Sequence, residues 1–122
     1  MTIPILYVDD DPDIREIAEM ALSLDPDLEV RTCSSGNDAI ALVGQWLPRL
    51  ILLDFMMPDL DGPATLRLLR QNSRLDHVPV VFITARTSAK DVESLLASGA
   101  AGVLAKPFDV MTLAGQCRAF VP

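Results

Sequence analysis

The chain is poor in the residues that build several common kinds of site. Among its 122 residues are one histidine and two cysteines, and these three lie far apart in the sequence. A structural zinc site needs clustered cysteine and histidine ligands, so the sequence argues against one. We expect Cys33 and Cys117 to be free thiols in a reducing compartment and His77 to be a solvated loop residue.

Positive charge and long apolar runs are also scarce. The chain has 10 Lys and Arg against 17 Asp and Glu, for a formal net charge of -7. Because nucleic-acid binding depends on a basic surface, we do not expect this chain to bind nucleic acid directly. No apolar run approaches the roughly 18 residues of a transmembrane helix, and no signal-peptide pattern is present. These absences favour a cytoplasmic protein that does not enter a membrane.

The six glycines form neither a Walker-type loop nor a dinucleotide-binding pattern. The chain is therefore not expected to take phosphate from ATP directly.

What the chain does contain is apolar sequence, half of its residues, in short runs that alternate with amphipathic stretches. This length suits one domain, which we expect to span residues 1–122. The apolar runs predict buried strands at residues 3–8, 28–33, 50–53, 79–83 and 102–105. The second of these runs is the most polar and is predicted to lie at an edge of the sheet.

Helix-start and helix-stop residues separate the strands. Asp11, Ser88 and Asp109 are predicted to cap the first, fourth and fifth helices, and Gly99 to end the fourth. The second helix is predicted over residues 35–46, the third from residue 61, and the fifth to about residue 120. The side chains expected to face inward from the first and third helices are Ile14, Ile17, Ala18, Ala21, Leu22, Leu66, Leu68 and Leu69.

Five strands alternating with five helices predict an α/β fold with a parallel sheet covered on both faces. By analogy with doubly wound flavodoxin-like folds, which suit this length, we expect the strand order 2-1-3-4-5.

Polar residues interrupt the apolar pattern at the carboxyl ends of four strands. Asp9 and Asp10 follow the first strand, Asp54 the third, Thr84 the fourth and Lys106 the fifth. In the expected order these strands are neighbours, and ligands of such sheets bind beyond the strand carboxyl ends. The sequence therefore predicts that three carboxylates, a hydroxyl and an ammonium converge in one pocket.

The chemistry of that pocket favours a cation and a phosphoryl group together. Clustered carboxylates repel one another, and a divalent cation offsets the repulsion. Oxygen-only ligands near a phosphate favour Mg²⁺. Asp54 is central to the cluster, and carboxylate nucleophiles form acyl phosphates, while a metal ion and a lysine stabilise the transferring group.

The sequence resembles the receiver domain of response regulators over essentially its whole length. The motifs that carry the resemblance are Val8-Asp9-Asp10, Asp54 with Met57-Pro58 and Asp61-Gly62, Thr84-Ala85, and Lys106-Pro107-Phe108. The resemblance implies that Asp54 is the phosphoacceptor, that Lys106 pairs with the phosphoryl group, and that Thr84 shifts toward it on activation. It also implies a cis peptide bond before Pro107. The implied ligands of Mg²⁺ are Asp10, Asp54 and the backbone carbonyl of Met56, with Asp9 assisting through water.

The implied function is a switch in two-component signalling. The phosphoryl group would come from phosphohistidine on a histidine kinase or a histidine phosphotransfer protein, and phosphorylation would change partner binding. Such a domain catalyses only its own phosphorylation and dephosphorylation.

Two features depart from the family pattern. Val103 stands three residues before Lys106, where receivers commonly carry an aromatic residue, so the switch is expected to move the loop at residues 85–90 or to change dynamics. The last helix is unusually apolar, which fits either core packing or an interface on the face formed by helix 4, strand 5 and helix 5. A homodimer or a neighbouring domain could use that face.

Two other functions are weighed against the switch. Residues 59–62 resemble the nucleophile loop of haloacid-dehalogenase-type phosphatases, but there the first aspartate directly follows a strand, whereas Met57-Pro58 precedes Asp59 here. Turn chemistry explains this segment without a nucleophile. The second alternative is a receiver-like scaffold that is never phosphorylated, which is disfavoured because every pocket residue is present.

Overall fold

The computed structural model describes residues 2–122, in which strands and helices alternate. The strands are β1 (Ile3–Val8), β2 (Leu28–Cys33), β3 (Leu50–Asp54), β4 (Val80–Thr84) and β5 (Gly102–Ala105). The α-helices are α1 (Pro12–Leu22), α2 (Gly36–Val43), α3 (Gly62–Leu69), α4 (Ala89–Ala97) and α5 (Leu113–Arg118). A single 3-10 turn at Ser73–Leu75, which the sequence pattern did not predict, lies between α3 and β4.

The five strands form one parallel sheet in the order β2-β1-β3-β4-β5. The predicted order and the edge position of β2 are therefore confirmed. The register aligns the carboxyl ends of the strands, since Val8 pairs with Leu53, Asp54 with Ile83 and Thr84 with Ala105. The residues that follow these strands consequently meet along one edge of the sheet.

Two apolar layers cover the sheet. On one face α1 and α5 pack against the side chains of Ile5, Leu52 and Ile83. On the other face α2, α3 and α4 pack against Leu53 and Phe82. Because both faces are covered, the central strands β3 and β4 are fully buried, which explains why they are almost purely apolar.

Several predicted helix boundaries are confirmed. The side chain of Asp11 accepts the backbone N–H groups of Asp13 and Ile14, and Ser88 accepts that of Asp91. Gly99 follows α4 with a positive φ of 105°, a conformation that costs glycine little. The Lys106-Pro107 peptide bond is cis, as the resemblance implied.

The prediction that Asp109 caps the last helix is wrong. Its carboxylate accepts the N–H of Met111, two residues ahead, at 2.8 Å. This local bond closes a turn, so the helix begins only at Leu113 and ends at Arg118.

The predicted end of the second helix is also wrong, because α2 stops at Val43. Gly44 follows as the C-cap, and the N–H of Gln45 bonds to Leu42, three residues back, which tightens the last turn. Trp46 then lies outside the helix and packs against the edge of the core, with the guanidinium carbon of Arg31 4.6 Å from its ring centroid.

Two side chains predicted to face inward lie at the rim of their helices. Ile17 is 42% exposed and Leu68 is 37% exposed. The buried stripe of α1 runs through Ala18, Ala21 and Leu22, so Ile17 falls beside it. The apolar stripe is therefore narrower than the sequence suggested.

Gly62, the first residue of α3, is required by close packing. An added Cβ would lie 2.8 Å from the backbone oxygen of Asp54, 2.8 Å from the ring of Phe82 and 3.0 Å from the Cα of Phe55. Gly115 in α5 has no atom within 4 Å of the corresponding position.

We predict opposite effects of alanine at these two glycines. Gly62→Ala should lower the free energy of unfolding by about 1–3 kcal/mol, because backbone atoms must shift to admit the methyl group. Gly115→Ala should raise it by about 0.5–1 kcal/mol, because glycine weakens a helix interior. Urea unfolding followed by circular dichroism measures both, and a neutral Gly62→Ala would contradict the close packing.

Candidate functional site

Strand alternation brings three polar side chains to one side of the sheet. Asp9 follows Tyr7 by two residues, Asp54 follows Leu52, and Lys106 follows the buried Leu104. Residues two apart on a strand share a face, and Tyr7, Leu52 and Leu104 all belong to the core under α1 and α5. Asp9, Asp54 and Lys106 therefore leave the strand ends on the same side.

Asp9 is fully buried and has several hydrogen-bond donors. Its Oδ2 accepts the hydroxyl of Tyr7 and the ammonium of Lys106, each at 3.0 Å, and its Oδ1 accepts the N–H of Asp11 at 3.0 Å. The guanidinium of Arg15 donates to its backbone oxygen at 2.8 Å. A buried carboxylate needs such donors because it has lost its water.

Lys106 lies between the two buried acids. Its Nζ is 3.0 Å from Asp9 Oδ2 and 3.5 Å from Asp54 Oδ1. Burial alone would lower the pKa of Lys106, but the hydrogen bond to Asp9 and the charge of Asp54 outweigh it and hold the pKa above its ordinary value. The lysine is therefore charged across the physiological range.

Asp54 is only 6% exposed. Its burial, and then the negative charge of Asp9, raise the pKa of Asp54 to about 6, although Lys106 acts in the opposite direction. At neutral pH Asp54 is mostly ionised, but the ionised form is held at a cost in free energy.

Thr84 reaches the same cleft from β4. Its hydroxyl oxygen accepts the N–H of Arg86 at 3.0 Å, so the hydroxyl proton is free to donate elsewhere. Thr84 also lines a second, mostly apolar cavity beneath α4, together with Phe55 and Leu95. It thus stands between the acidic cleft and the contact of α4 with the sheet.

The cleft contains the residues that the sequence predicted to converge. Its walls are formed by Asp9, Asp10, Asp11, Asp54, Met56, Thr84, Ala85, Arg86 and Lys106. Met56 and Arg86 are both exposed at its mouth. The roles of Met56 and of the other individual residues in this cleft stay predictions.

The acidic cluster has the donor set of a hard divalent cation. Asp9, Asp10 and Asp54 each offer a carboxylate oxygen, and these oxygens lie within 4.8 Å of one another. Three carboxylates against the single ammonium of Lys106 leave two formal negative charges, which one divalent cation would neutralise. Oxygen donors of this kind fit Mg²⁺.

The sequence pattern did not single out Tyr7 or Arg15. The hydroxyl of Tyr7 bonds to the side chain of Asp9, and the guanidinium of Arg15 bonds to the backbone oxygen of Asp9. The alternation of β1 contains a signal for Tyr7, because a residue two positions before a pocket acid must share its face. Arg15 carries no comparable signal, since its reach depends on how α1 packs.

Three residues outside the cleft, Cys33, Cys117 and His77, have the surroundings that the sequence predicted. Cys33 and Cys117 are free thiols, and burial raises the pKa of Cys117 to about 12, which makes it unreactive. His77 is exposed in the loop before β4. Between residues 2 and 122, no helix has both the length and the apolar content to cross a membrane.

Comparison with known proteins identifies the family. The family model described as the response regulator receiver domain matches residues 5–118. The chain belongs to this family. It is a receiver domain, and receiver domains are signalling switches of two-component phosphorelays.

The receiver domain has many curated relatives. Response regulator Rre1 of Synechocystis is 36% identical over 107 residues, which cover 88% of this chain and 46% of that protein. Response regulator PleD of Caulobacter vibrioides is 38% identical over 118 residues, covering 97% of this chain and 26% of that protein. The chain thus spans about half or less of the length of these relatives.

Solved structures show the same fold. The chemotaxis protein CheY4 of Vibrio cholerae superposes with a TM-score of 0.91 at 29% identity, covering 99% of this chain and 100% of that one. A BeF3-activated DrrB receiver domain superposes with a TM-score of 0.82 at 25% identity, covering 98% of this chain and 97% of that one. The predicted flavodoxin-like class is confirmed.

We predict that Asp54→Asn stabilises the metal-free receiver domain at neutral pH. An ordinary aspartate in the unfolded chain has a pKa of 3.8, and the folded value is about 6. Ionisation of Asp54 therefore destabilises the fold increasingly as the pH rises from about 4 to 6, and fully above about 6. The amide should raise the free energy of unfolding by about 1–3 kcal/mol at pH 7.5, and this gain should shrink toward zero near pH 4.

Urea unfolding in the presence of a chelator at several pH values measures this difference. Asp59→Asn is the matched control, because it also removes one negative charge but from an exposed loop residue whose φ of 66° asparagine tolerates. A gain at Asp54 that does not change with pH, or that equals the effect at Asp59, would contradict the raised pKa.

Proposed function

We propose that residues 1–122 form a receiver domain that accepts a phosphoryl group on Asp54 in a Mg²⁺-dependent reaction. The observation that carries the proposal is the placement of this carboxylate, which is almost fully buried 3.5 Å from the ammonium of Lys106 and beside two further acids. The family to which the chain belongs supports it, since response regulators interact with sensor kinases or phosphotransfer proteins.

In this reaction an oxygen of the Asp54 carboxylate attacks the phosphorus of phosphohistidine. The new oxygen–phosphorus bond forms as the phosphorus–nitrogen bond breaks, and the imidazole nitrogen leaves with the electron pair. The mostly ionised state of Asp54 at neutral pH supports its role as nucleophile. Hydrolysis would reverse the modification, with water attacking the phosphorus and the carboxylate leaving.

Lys106 and Thr84 are proposed to bind the phosphoryl oxygens. Lys106 is charged and already lies near Asp54, so it can turn to the new anion with little movement. The hydroxyl proton of Thr84 has no acceptor among residues 2–122, so it can donate to a phosphoryl oxygen. These groups would stabilise the negative charge on the transferring phosphoryl group.

The proposed metal ligands are Asp10, Asp54 and the backbone carbonyl of Met56, with Asp9 assisting through water. When bound there, Mg²⁺ would neutralise charge on the phosphoryl group and orient it toward Asp54. The acidic cluster and its two formal excess negative charges support this assignment.

Phosphorylation is proposed to act on partners through the region around α4. Thr84 lines both the acidic cleft and the cavity beneath α4, so its movement toward a phosphoryl group would change the support of residues 85–90. Val103 is half-buried against the same core. A valine has no ring to reorient, which favours the loop as the moving part.

A partner surface is proposed on the face of α4, β5 and α5. Core packing explains most apolar residues of the last segment. Leu113 and Cys117 are buried, and the partly buried residues packed against the same core are Phe108, Ala114, Phe120 and Val121. The large apolar residues left exposed on this face are Leu96 of α4, at 44%, and Val110 and Met111 before α5, at 40% and 78%. This face would serve a second copy or a neighbouring domain.

The expected absence of nucleic-acid binding stays a prediction for these 122 residues. Some relatives are named as DNA-binding regulators, among them RpaA of Synechocystis and MtrA of Mycolicibacterium smegmatis. Those names refer to proteins about twice as long as the matched region.

The alternative phosphatase reading is not favoured. Asp59 lies exposed in a turn, and it is not a member of the acidic cluster formed by Asp9, Asp10 and Asp54. A nucleophile of that class would need the strand-end position that Asp54 occupies.

We predict that acetyl phosphate and Mg²⁺ add one phosphoryl group to the protein, measured by intact mass. Asp54→Asn and omission of Mg²⁺ should each abolish the gain, because the nucleophile or the charge neutralisation is lost. Asp59→Asn should retain the gain, which makes it the control for removal of a carboxylate.

If Asp59→Asn gained no phosphoryl group while Asp54→Asn still gained one, the result would favour the phosphatase. If the unsubstituted protein gained no phosphoryl group from either acetyl phosphate or a phosphohistidine donor, the result would favour the unphosphorylated scaffold.

A further inference from the structure

Tyr7 and Lys106 share a single oxygen atom of a buried acid. The hydroxyl of Tyr7 and the ammonium of Lys106 each donate to Asp9 Oδ2 at 3.0 Å. Asp9 has no exposed surface, so this oxygen depends on the donors that surround it. Within residues 2–122 these two groups are the donors to Oδ2, whereas Oδ1 is held by the N–H of Asp11.

The two donors differ in their freedom to move. Tyr7 is 1% exposed, and its ring packs in the core beneath α1 and α5. Lys106 is 24% exposed at its side chain and lies in the open cleft, within 3.5 Å of Asp54. Lys106 can therefore leave Asp9 for an anion on Asp54, while Tyr7 cannot.

When Lys106 leaves, Tyr7 is the one donor from residues 2–122 that remains on this oxygen of Asp9. A buried carboxylate oxygen without any donor carries the full cost of its lost hydration. Tyr7 lowers that cost because its hydroxyl stays in place. In its absence, Lys106 would be retained by Asp9, and the site would bind a phosphoryl group less well.

We propose that Tyr7 is a positioning residue that keeps Asp9 hydrogen-bonded while Lys106 changes partner from Asp9 to the phosphoryl group. This inference rests on the proposed function of the cleft. Among residues 2–122 the hydroxyl of Tyr7 bonds to Asp9, so we expect it to act on Asp54 and the phosphoryl group through Asp9 and Lys106.

The test uses Tyr7→Phe, which removes the hydroxyl and keeps the ring. The probe is beryllofluoride, a phosphoryl mimic, titrated at saturating Mg²⁺ and followed by ¹⁹F NMR. We expect binding to weaken by roughly 5- to 30-fold, because the cost of one lost buried hydrogen bond now opposes the release of Lys106. The Mg²⁺ dissociation constant, measured by calorimetry without beryllofluoride, should change by less than about twofold, since Lys106 still holds Asp9 in that state.

The outcomes separate a positioning role from a structural one. General damage to the site would weaken Mg²⁺ and beryllofluoride binding by the same factor, and that result would overturn the proposal, as would unchanged beryllofluoride binding. In an Asp9→Asn background, Tyr7→Phe should have no further effect on beryllofluoride binding if Tyr7 acts through Asp9, and an additive loss would overturn it. Failure of the unsubstituted protein to bind beryllofluoride would instead contradict the proposed function.

A second measurement needs no substitution. Tyr7 is the single tyrosine of the chain, so a ¹³Cζ-tyrosine label gives one NMR signal. On addition of Mg²⁺ and beryllofluoride this signal should remain that of a hydrogen-bonded phenol. A change to the shift of a phenol without an acceptor would show that Tyr7 releases Asp9, and would overturn the proposal.

Discussion

Two carboxylates, Asp9 and Asp54, lie buried at the ends of neighbouring parallel strands, and the ammonium of Lys106 lies between them. Their mutual repulsion and their lost hydration form the constraint on which the rest of the site depends. Hydrogen bonds from Tyr7 and from the backbone of Asp11 relieve part of it at Asp9. The remaining cost appears in the raised pKa of Asp54.

That residual cost prepares the cleft for its chemistry. A site with two excess negative charges attracts a divalent cation. The ammonium of Lys106, which already lies near two acids, can move to a third anion when one binds. The fold supports this arrangement by covering both faces of the sheet, which buries the last four residues of β1 and all of β3. The burial of the two apolar layers thus offsets the cost of the buried carboxylates at the cleft, as is common for functional sites.

The sequence pattern predicted the strands and the convergence of Asp9, Asp10, Asp54, Thr84 and Lys106, because buried parallel strands are apolar runs and their ends are polar. It failed where local bonding competes with helix formation. Asp109 bonds to the N–H of Met111 and forms a turn. The helix α2 ends before Trp46, with Gly44 as its C-cap. Such choices depend on small differences between alternative backbone hydrogen bonds, which residue type alone does not reveal.

By itself the sequence determined the alternation of strands and helices, the edge position of β2 and the polar residues at the strand ends, because each follows from periodicity and from the chemistry of single residues. Only the tertiary structure decided which atoms share partners. The pairing of Lys106 with both Asp9 and Asp54 joins residues far apart in the chain, and the reach of Arg15 to the backbone of Asp9 depends on how α1 packs. Hydrogen bonds depend on distances of a few tenths of an ångström, and the packing of helices on the sheet sets those distances.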